Sequence, residues 1–285
     1  MTDGMQGKTC LVTGANAGIG KEAALGLARL GATVVLLCRS EARGGAALAE
    51  IERRSGNRAL HLLVADLASQ REIRRVAAEY LERFERLDVL VNNAAVLAWR
   101  ERRLGEDGLE LTFAVNHLAP FLLTGLLLDR LRASAPSRIV TVASGAHRRQ
   151  ALDFEDLQNE RDYSPFDAYS RSKLANVYFT YELARRLEGT GVTANCLHPG
   201  VVSTALFRDM KWWQRIAIWL GRPFLLTPAR GADTAVHLAA SADVAGVTGR
   251  YFEKREEVRS SPASYDAALA RRLWEASEAL TESRS

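Results

Sequence analysis

Cysteine is scarce in this chain, three residues in 285, and no two cysteines have the CxxC or Cys/His spacing of a metal or redox site. That argues against a disulfide scaffold and against a cysteine-held metal. Cys10, Cys38 and Cys196 each lie inside an apolar run and are expected as reduced core residues, in a reducing compartment. Long apolar runs are missing too. None approaches the ~18 residues of a membrane span, and the opening segment lacks the apolar stretch of a signal peptide. A soluble, cytoplasmic protein is expected, with membrane contact peripheral if present. Charge of one sign is also absent: 38 Lys and Arg against 34 Asp and Glu leave +4, scattered in pairs such as Arg53-Arg54 and Arg148-Arg149. Nucleic acid is therefore not an expected partner, whereas small phosphate-bearing molecules remain open. Repeats, low-complexity tracts and linkers are likewise missing.

What is present is ordinary globular composition, 47% hydrophobic and 25% charged, arranged in a β-α alternation. Short β-branched runs at Lys8 to Thr13, Thr33 to Cys38, Leu60 to Val64, Val89 to Val91 and Arg138 to Val142 alternate with helical patterns. The helices are expected at Ile19 to Arg29, Glu41 to Arg54, Ser69 to Phe84, Ala119 to Leu131 and Ala168 to Leu187. Further strands are expected at Thr193 to Leu197 and Gly249 to Phe252, and a last helix from Ala263 to Leu280. Each helix is long enough to cross over between parallel strands. The expected fold class is α/β: one doubly wound parallel sheet with helices on both faces, a single domain over 1–285 with a substrate-loop insertion at about 201–228.

The first strand runs directly into Thr13-Gly14-Ala15-Asn16-Ala17-Gly18-Ile19-Gly20 and then a helix. Glycines there let the backbone turn tightly and bring N–H groups at a helix N-terminus close to a diphosphate. The spacing is G-x-x-x-G-x-G rather than the general G-x-G-x-x-G, so position within the strand-turn-helix unit carries the reading. About 20 residues on, where an acid would accept from the ribose 2′-hydroxyl of NAD, stands Arg39. An arginine pairs with a 2′-phosphate instead, favouring NADP(H) over NAD(H); the alternative is a solvated residue at a strand end. Asp66, followed by Leu67 at the end of the third strand, is placed either to accept from an adenine amino group or to cap a turn.

Tyr169 and Lys173 are four apart in a helical pattern, so phenol and ammonium share a face. A phenol titrates near ~10, and a neighbouring cation favours its anion, which suits it to proton transfer near neutrality. Such a pair also arises as an ordinary surface contact. Ser144 arrives at the carboxyl end of a strand, the edge where open sheets bind ligands. It is placed to hydrogen-bond a substrate carbonyl or, alternatively, to cap a turn.

Taken together these motifs resemble the classical short-chain dehydrogenase/reductase family over nearly the whole chain, closest to its retinol dehydrogenase-like branch. The TGxxxGIG turn matches Thr13 to Gly20, the adenine-side aspartate Asp66, and the NNAG motif Asn92-Asn93-Ala94-Ala95. The active-site asparagine matches Asn116, the serine Ser144 and YxxxK Tyr169 and Lys173. The PG motif matches Pro199-Gly200, followed by Val202 and Thr204. Branch likeness rests on CRS after the second strand, LHPGVVST, and SPASYDAALARRLWEASEAL near the end. Ala95 replaces the usual glycine and Ala143 a frequent serine; both are small enough to leave cofactor approach intact.

The resemblance implies a Rossmann fold and hydride transfer between nicotinamide and a carbonyl carbon. In that scheme Tyr169 is the acid/base, Ser144 holds the carbonyl oxygen, Lys173 holds the nicotinamide ribose and lowers the Tyr169 pKa, and Asn116 holds a water that relays protons to Lys173. It also implies homo-oligomers, dimer or tetramer, formed through the helices carrying Asn116 and Tyr169. The insert between Ser144 and Tyr169, including Asp153 to Ser164, is expected to shape one wall of the site.

Ala205 to Thr227 holds three of the five tryptophans, with Arg208, Lys211 and Arg215 among the apolar residues. It reads as a cover for a lipophilic substrate such as a retinoid, fatty aldehyde or bulky ketone, as an interfacial helix on a membrane, or as core or subunit packing. His147 and His198 have no carboxylate at readable spacing and are expected as structural histidines. An epimerase or dehydratase would need a longer substrate domain. A non-catalytic NADP(H)-sensing protein would be expected to lack the tyrosine or lysine.

Overall fold

The computed structural model describes residues 4–202 and 226–282. Eight strands form one sheet in the order β3-β2-β1-β4-β5-β6-β7-β8. They are β1 Thr9–Thr13, β2 Thr33–Cys38, β3 Leu60–Val64, β4 Val89–Asn92, β5 Ser137–Val142, β6 Val192–His198, β7 Tyr251–Glu253 and β8 Glu256–Glu257. All neighbours run parallel except β7 and β8. The crossovers are α1 Gly18–Arg29, α2 Glu41–Ser55, α3 Gln70–Arg83, α4 Leu111–Ala133, α5 Pro165–Arg186 and α6 Pro228–Ala240, with α7 Ala267–Thr281 at the end.

The strands read as unbroken apolar runs because both faces of the sheet are covered. Alternate residues turn to opposite faces. Cys10, Val12, Val34, Leu36, Val89 and Val91 pack on one side with α1 and α6. Leu11, Val35, Leu37, Leu63 and Leu90 pack on the other with α3, α4 and α5. All three cysteines are free and buried, as expected. Burial raises their thiol pKa values, that of Cys38 to about 11, so they remain protonated and inert.

Hydroxyl and carboxylate caps start most of the helices: Ser40 for α2, Ser69 for α3, Ser164 for α5, Thr227 for α6 and Asp266 for α7. Three differences from the sequence reading have local causes. The fourth helix begins at Leu111, eight residues early, because Glu110 accepts the Thr112 and Phe113 N–H groups. The expected final helix is broken: Pro262–Tyr265 forms a 3-10 turn and Asp266 caps a separate α7. Helix α6 was not expected at all; its buried face is mostly alanine, which gives a weak apolar stripe.

Helix α4 also corrects the absence of long apolar segments. It is long and apolar enough to span a membrane, with mean hydropathy 1.7, but 78% of that stretch is buried inside the fold. Its apolar character is accounted for by core packing against α3 and β4. On the outer side of α4 and α5 lies the chain's own α7. Trp274 stacks on Phe179 at 6.0 Å, meets Phe121 edge-on at 4.9 Å, and carries the Arg186 guanidinium 4.2 Å over its ring.

Candidate active site

At the carboxyl ends of the strands, where the order reverses between β1 and β4, lies a cleft of about 800 Å³. At its phosphate end the glycines are sterically required. A Cβ on Gly20 would come 2.3 Å from Asn93 Nδ2 and 2.5 Å from Gly14 O, and Gly14 has φ +66°. Thr13 does not line the cleft. Its hydroxyl donates to Val91 O and accepts the N–H groups of Asn93 and Ala94 at 2.9 and 3.0 Å, stapling the first turn to the fourth strand. Asn93 Nδ2 completes that staple with Thr13 O at 2.8 Å.

Helix α1 differs from the capped helices. Ala17 at its N-cap has no side-chain acceptor, and its first turn holds no acid. Among the described residues its leading N–H groups therefore have no capping side chain, at a place where Asn16, Ala17, Gly18, Ile19 and Gly20 line the cleft. That donor set and the glycine cradle fit a diphosphate. Farther along, Arg39, largely exposed, and Asp66, half-buried, face each other at 3.9 Å, and Leu67 also lines the cleft. Asp66 serves its turn as well, accepting the Ala68 N–H at 3.0 Å. Arg43, which the sequence reading missed, joins them from the first turn of α2. Its position four residues after Arg39 was the available signal.

At the opposite end Ala94 and Ala95 line the floor, with Ser144, Tyr169, Lys173, Pro199, Gly200 and Val202. Lys173 is 1% exposed, its Nζ 5.7 Å from the Tyr169 ring centre and donating to Val142 O at 2.8 Å. Two of its three ammonium protons thus remain for other partners. Burial lowers the amine to about 7. Burial also pushes the Tyr169 phenol up to about 12, opposed by its hydrogen bond with Ser144. The phenol thus lies above its ordinary value rather than below it as expected, because burial disfavours the charged forms of both groups.

Asn116 is fully buried and does not reach the cleft. Its side chain is spent on Val96 N at 2.8 Å, Val96 O at 3.0 Å and Ser172 Oγ at 3.0 Å. It sits in a π turn, Ala114–Leu118, where the Ala119 N–H reaches back five residues to Ala114 O. Such a turn perturbs the helical ladder and is common at functional sites.

His147 is hydrogen-bonded at both ring nitrogens, as expected of a structural histidine. His198 lines the cleft, and its Nδ1 is buried without a partner among the described residues. Of the insert between Ser144 and Tyr169, Arg149 and Phe166 line the cleft, while its Asp153 to Ser164 part contributes no lining residue and braces the neighbouring loop, Tyr163 donating to Ala98 O and Gln158 accepting the Glu110 N–H. Trp99 and Val201 also line the cleft and were not anticipated, because loop residues carry no periodic signal. Thr204 and most of the Ala205 to Thr227 segment lie outside the described residues. Among the described residues no cluster of His, Cys, Asp or Glu could hold a metal.

Comparison with known proteins agrees with this geometry. The short chain dehydrogenase family model matches residues 8–215, and the chain belongs to that family. It falls in the retinol dehydrogenase-like branch and is an oxidoreductase acting on CH–OH groups. It is 44% identical to human retinol dehydrogenase 14, covering 97% of this chain and 87% of the relative. Human retinol dehydrogenase 13 is 45% identical over 94% of this chain and 82% of its own length. Among solved structures, an uncharacterized protein of Mycobacterium paratuberculosis superposes with TM-score 0.80 at 34% identity, covering 99% and 96% of the two chains. The RhlG/NADP complex of Pseudomonas aeruginosa gives TM-score 0.71 at 28% identity, covering 87% and 95%.

Proposed function

We propose that this oxidoreductase uses NADP(H) in preference to NAD(H) and interconverts the carbonyl and alcohol forms of a lipophilic small molecule. The observation that carries this reading is the cleft itself: Ser144, Tyr169 and Lys173 stand at one end, and Arg39 with Arg43 at the other, joined by the uncapped start of α1. A nicotinamide cofactor held there would supply or accept the hydride.

The chain's residues do the rest. Tyr169, protonated at neutral pH, gives its phenol proton to the oxygen of a carbonyl being reduced, and takes it back during oxidation. Ser144 holds that oxygen. Lys173 uses its remaining protons on ribose hydroxyls, and the α1 N-terminus holds the diphosphate. Asn116 holds the π turn against Val96 and the Tyr169 helix; both its amide protons are used, so a proton-relaying water would meet its Oδ1 or the backbone of that turn. Arg39 and Arg43 read the 2′-phosphate.

Lipophilicity rests on Leu97, Trp99, Phe166 and Val201 at the reactive end, on the apolar segment following Thr204, and on relatives named as retinol dehydrogenases. Initial rates with NADPH and NADH, against carbonyls from small ketones to all-trans-retinal and long-chain aldehydes, test the reading. Turnover with NADPH and the lipophilic members is expected. Equal rates with NADH would remove the cofactor preference, and cofactor binding without turnover of any carbonyl would make the chain a sensor.

A further inference from the structure

One fully buried titratable residue beside the reactive end is left unused by that reading. His147 belongs to the 3-10 turn Gly145–Arg149 that follows Ser144. The Ser261 N–H points at its Nε2 at 3.0 Å, so Nε2 must accept and the single ring proton sits on Nδ1. Nδ1 lies 2.6 Å from the Ser144 carbonyl oxygen and donates to it. That oxygen also accepts the His147 backbone N–H at 3.2 Å, so one residue grips the peptide leaving Ser144 at two points. On the near side, Ser144 Oγ accepts the Ala146 N–H at 3.2 Å and shares a hydrogen bond with the Tyr169 hydroxyl, so the turn holds it beside the phenol.

Ser261 is fastened in turn. The Ser264 hydroxyl donates to Ser261 O at 2.6 Å and meets Ser260 Oγ at 2.6 Å, and Ser260 Oγ meets the Tyr181 hydroxyl at 2.7 Å. Tyr181 lies on α5, the helix that carries Tyr169 and Lys173. Arg148 adds a bond to Arg259 O at 2.8 Å. A loop 114 residues beyond His147 is thereby tied through one imidazole to the serine and through one tyrosine to the helix opposite.

We propose that His147 is a positioning residue: its Nδ1–H tautomer, selected by the Ser261 N–H, fixes the Ser144 peptide and so aims the Ser144 hydroxyl at the substrate oxygen. This rests on the proposed role of Ser144 in carbonyl chemistry. The geometry separates two conservative replacements. Asparagine keeps a donor where Nδ1 stands and loses the acceptor for Ser261. Glutamine reaches Ser261 and loses the donor to Ser144.

The test uses the full chain with NADPH and a lipophilic aldehyde that the wild type reduces. His147→Gln is expected to lower kcat about 30-fold with KM for NADPH unchanged, and His147→Asn to restore it to within about threefold. In a Ser144→Ala background, His147→Gln should cost nothing further, because both act through one hydroxyl. Independent, additive losses, or equal rates for the two His147 variants, overturn the proposal. Hydrogen exchange at the Ala146 amide reads the turn without substrate, and should accelerate about tenfold in His147→Gln but not in His147→Asn. Equal exchange in all three proteins overturns the proposal by itself. A wild type inert toward every carbonyl but with that exchange pattern intact overturns the proposed function and leaves the positioning of the Ser144 turn standing.

Discussion

The two ends of the cleft hold their charged groups under opposite physical conditions. Arg39 is 62% and Asp66 44% exposed, their nearest atoms 3.9 Å apart. In water such a pair contributes little to stability, and both groups stay free to meet a ligand. Lys173 is buried at the other end, and the Tyr169 hydroxyl is desolvated beside it, with pKa values moved to about 7 and about 12 toward the neutral forms. Exposed charge lets the first end select among ligands at low cost to the fold. Desolvated groups at the second end have unusual protonation, which is what proton transfer requires, and every neighbour matters there.

That contrast breaks most sharply at Tyr169. Tyr169→Phe removes the only phenol among the described residues of the cleft lining while keeping its packing, and should lower kcat by about a thousandfold or more, with NADPH affinity within about twofold by fluorescence titration. Substantial residual turnover would sink the acid/base role. At the exposed end Arg39→Ala should weaken NADPH binding by roughly tenfold and leave NADH unaffected. Its effect should shrink as salt is raised, since the Debye length falls to ~3 Å at 1 M. A salt-independent loss would mean that Arg39 acts by packing.

The smallest effect concerns stability. An amine whose folded pKa lies near 7, against an ordinary value of 10.5, binds fewer protons folded than unfolded between those limits. Stability of the cofactor-free protein should therefore rise with pH from about 7 upward, and Lys173→Met should flatten that rise relative to wild type in paired thermal melts between pH 7 and 8. Above that window the buried thiols, whose pKa values are raised, act in the opposite direction. Identical pH slopes in the two proteins would show that the Lys173 amine is not desolvated as placed here.

Much of this was legible in one dimension. The β-α alternation, the glycine turn after β1 and the four-residue spacing of Tyr169 and Lys173 are local patterns, and the fold places them as expected. Arg43 was missed because its partners, Arg39 and Asp66, come from the ends of two different strands. Asn116 was legible as a position, through the motif it matches, but not as a buried brace on Val96 and Ser172. Helix α6 escaped because alanine on its buried face makes a weak pattern.

The sequence by itself determined the class of fold, the family and the identity of the polar groups at the site, because strand and helix periodicity and short motifs depend only on near neighbours along the chain. Tertiary structure alone decided protonation and orientation. Whether a phenol titrates near 10 or 12, and whether the buried histidine carries its proton on Nδ1, depends on solvent exclusion and on partners such as Ser261, 114 residues farther on.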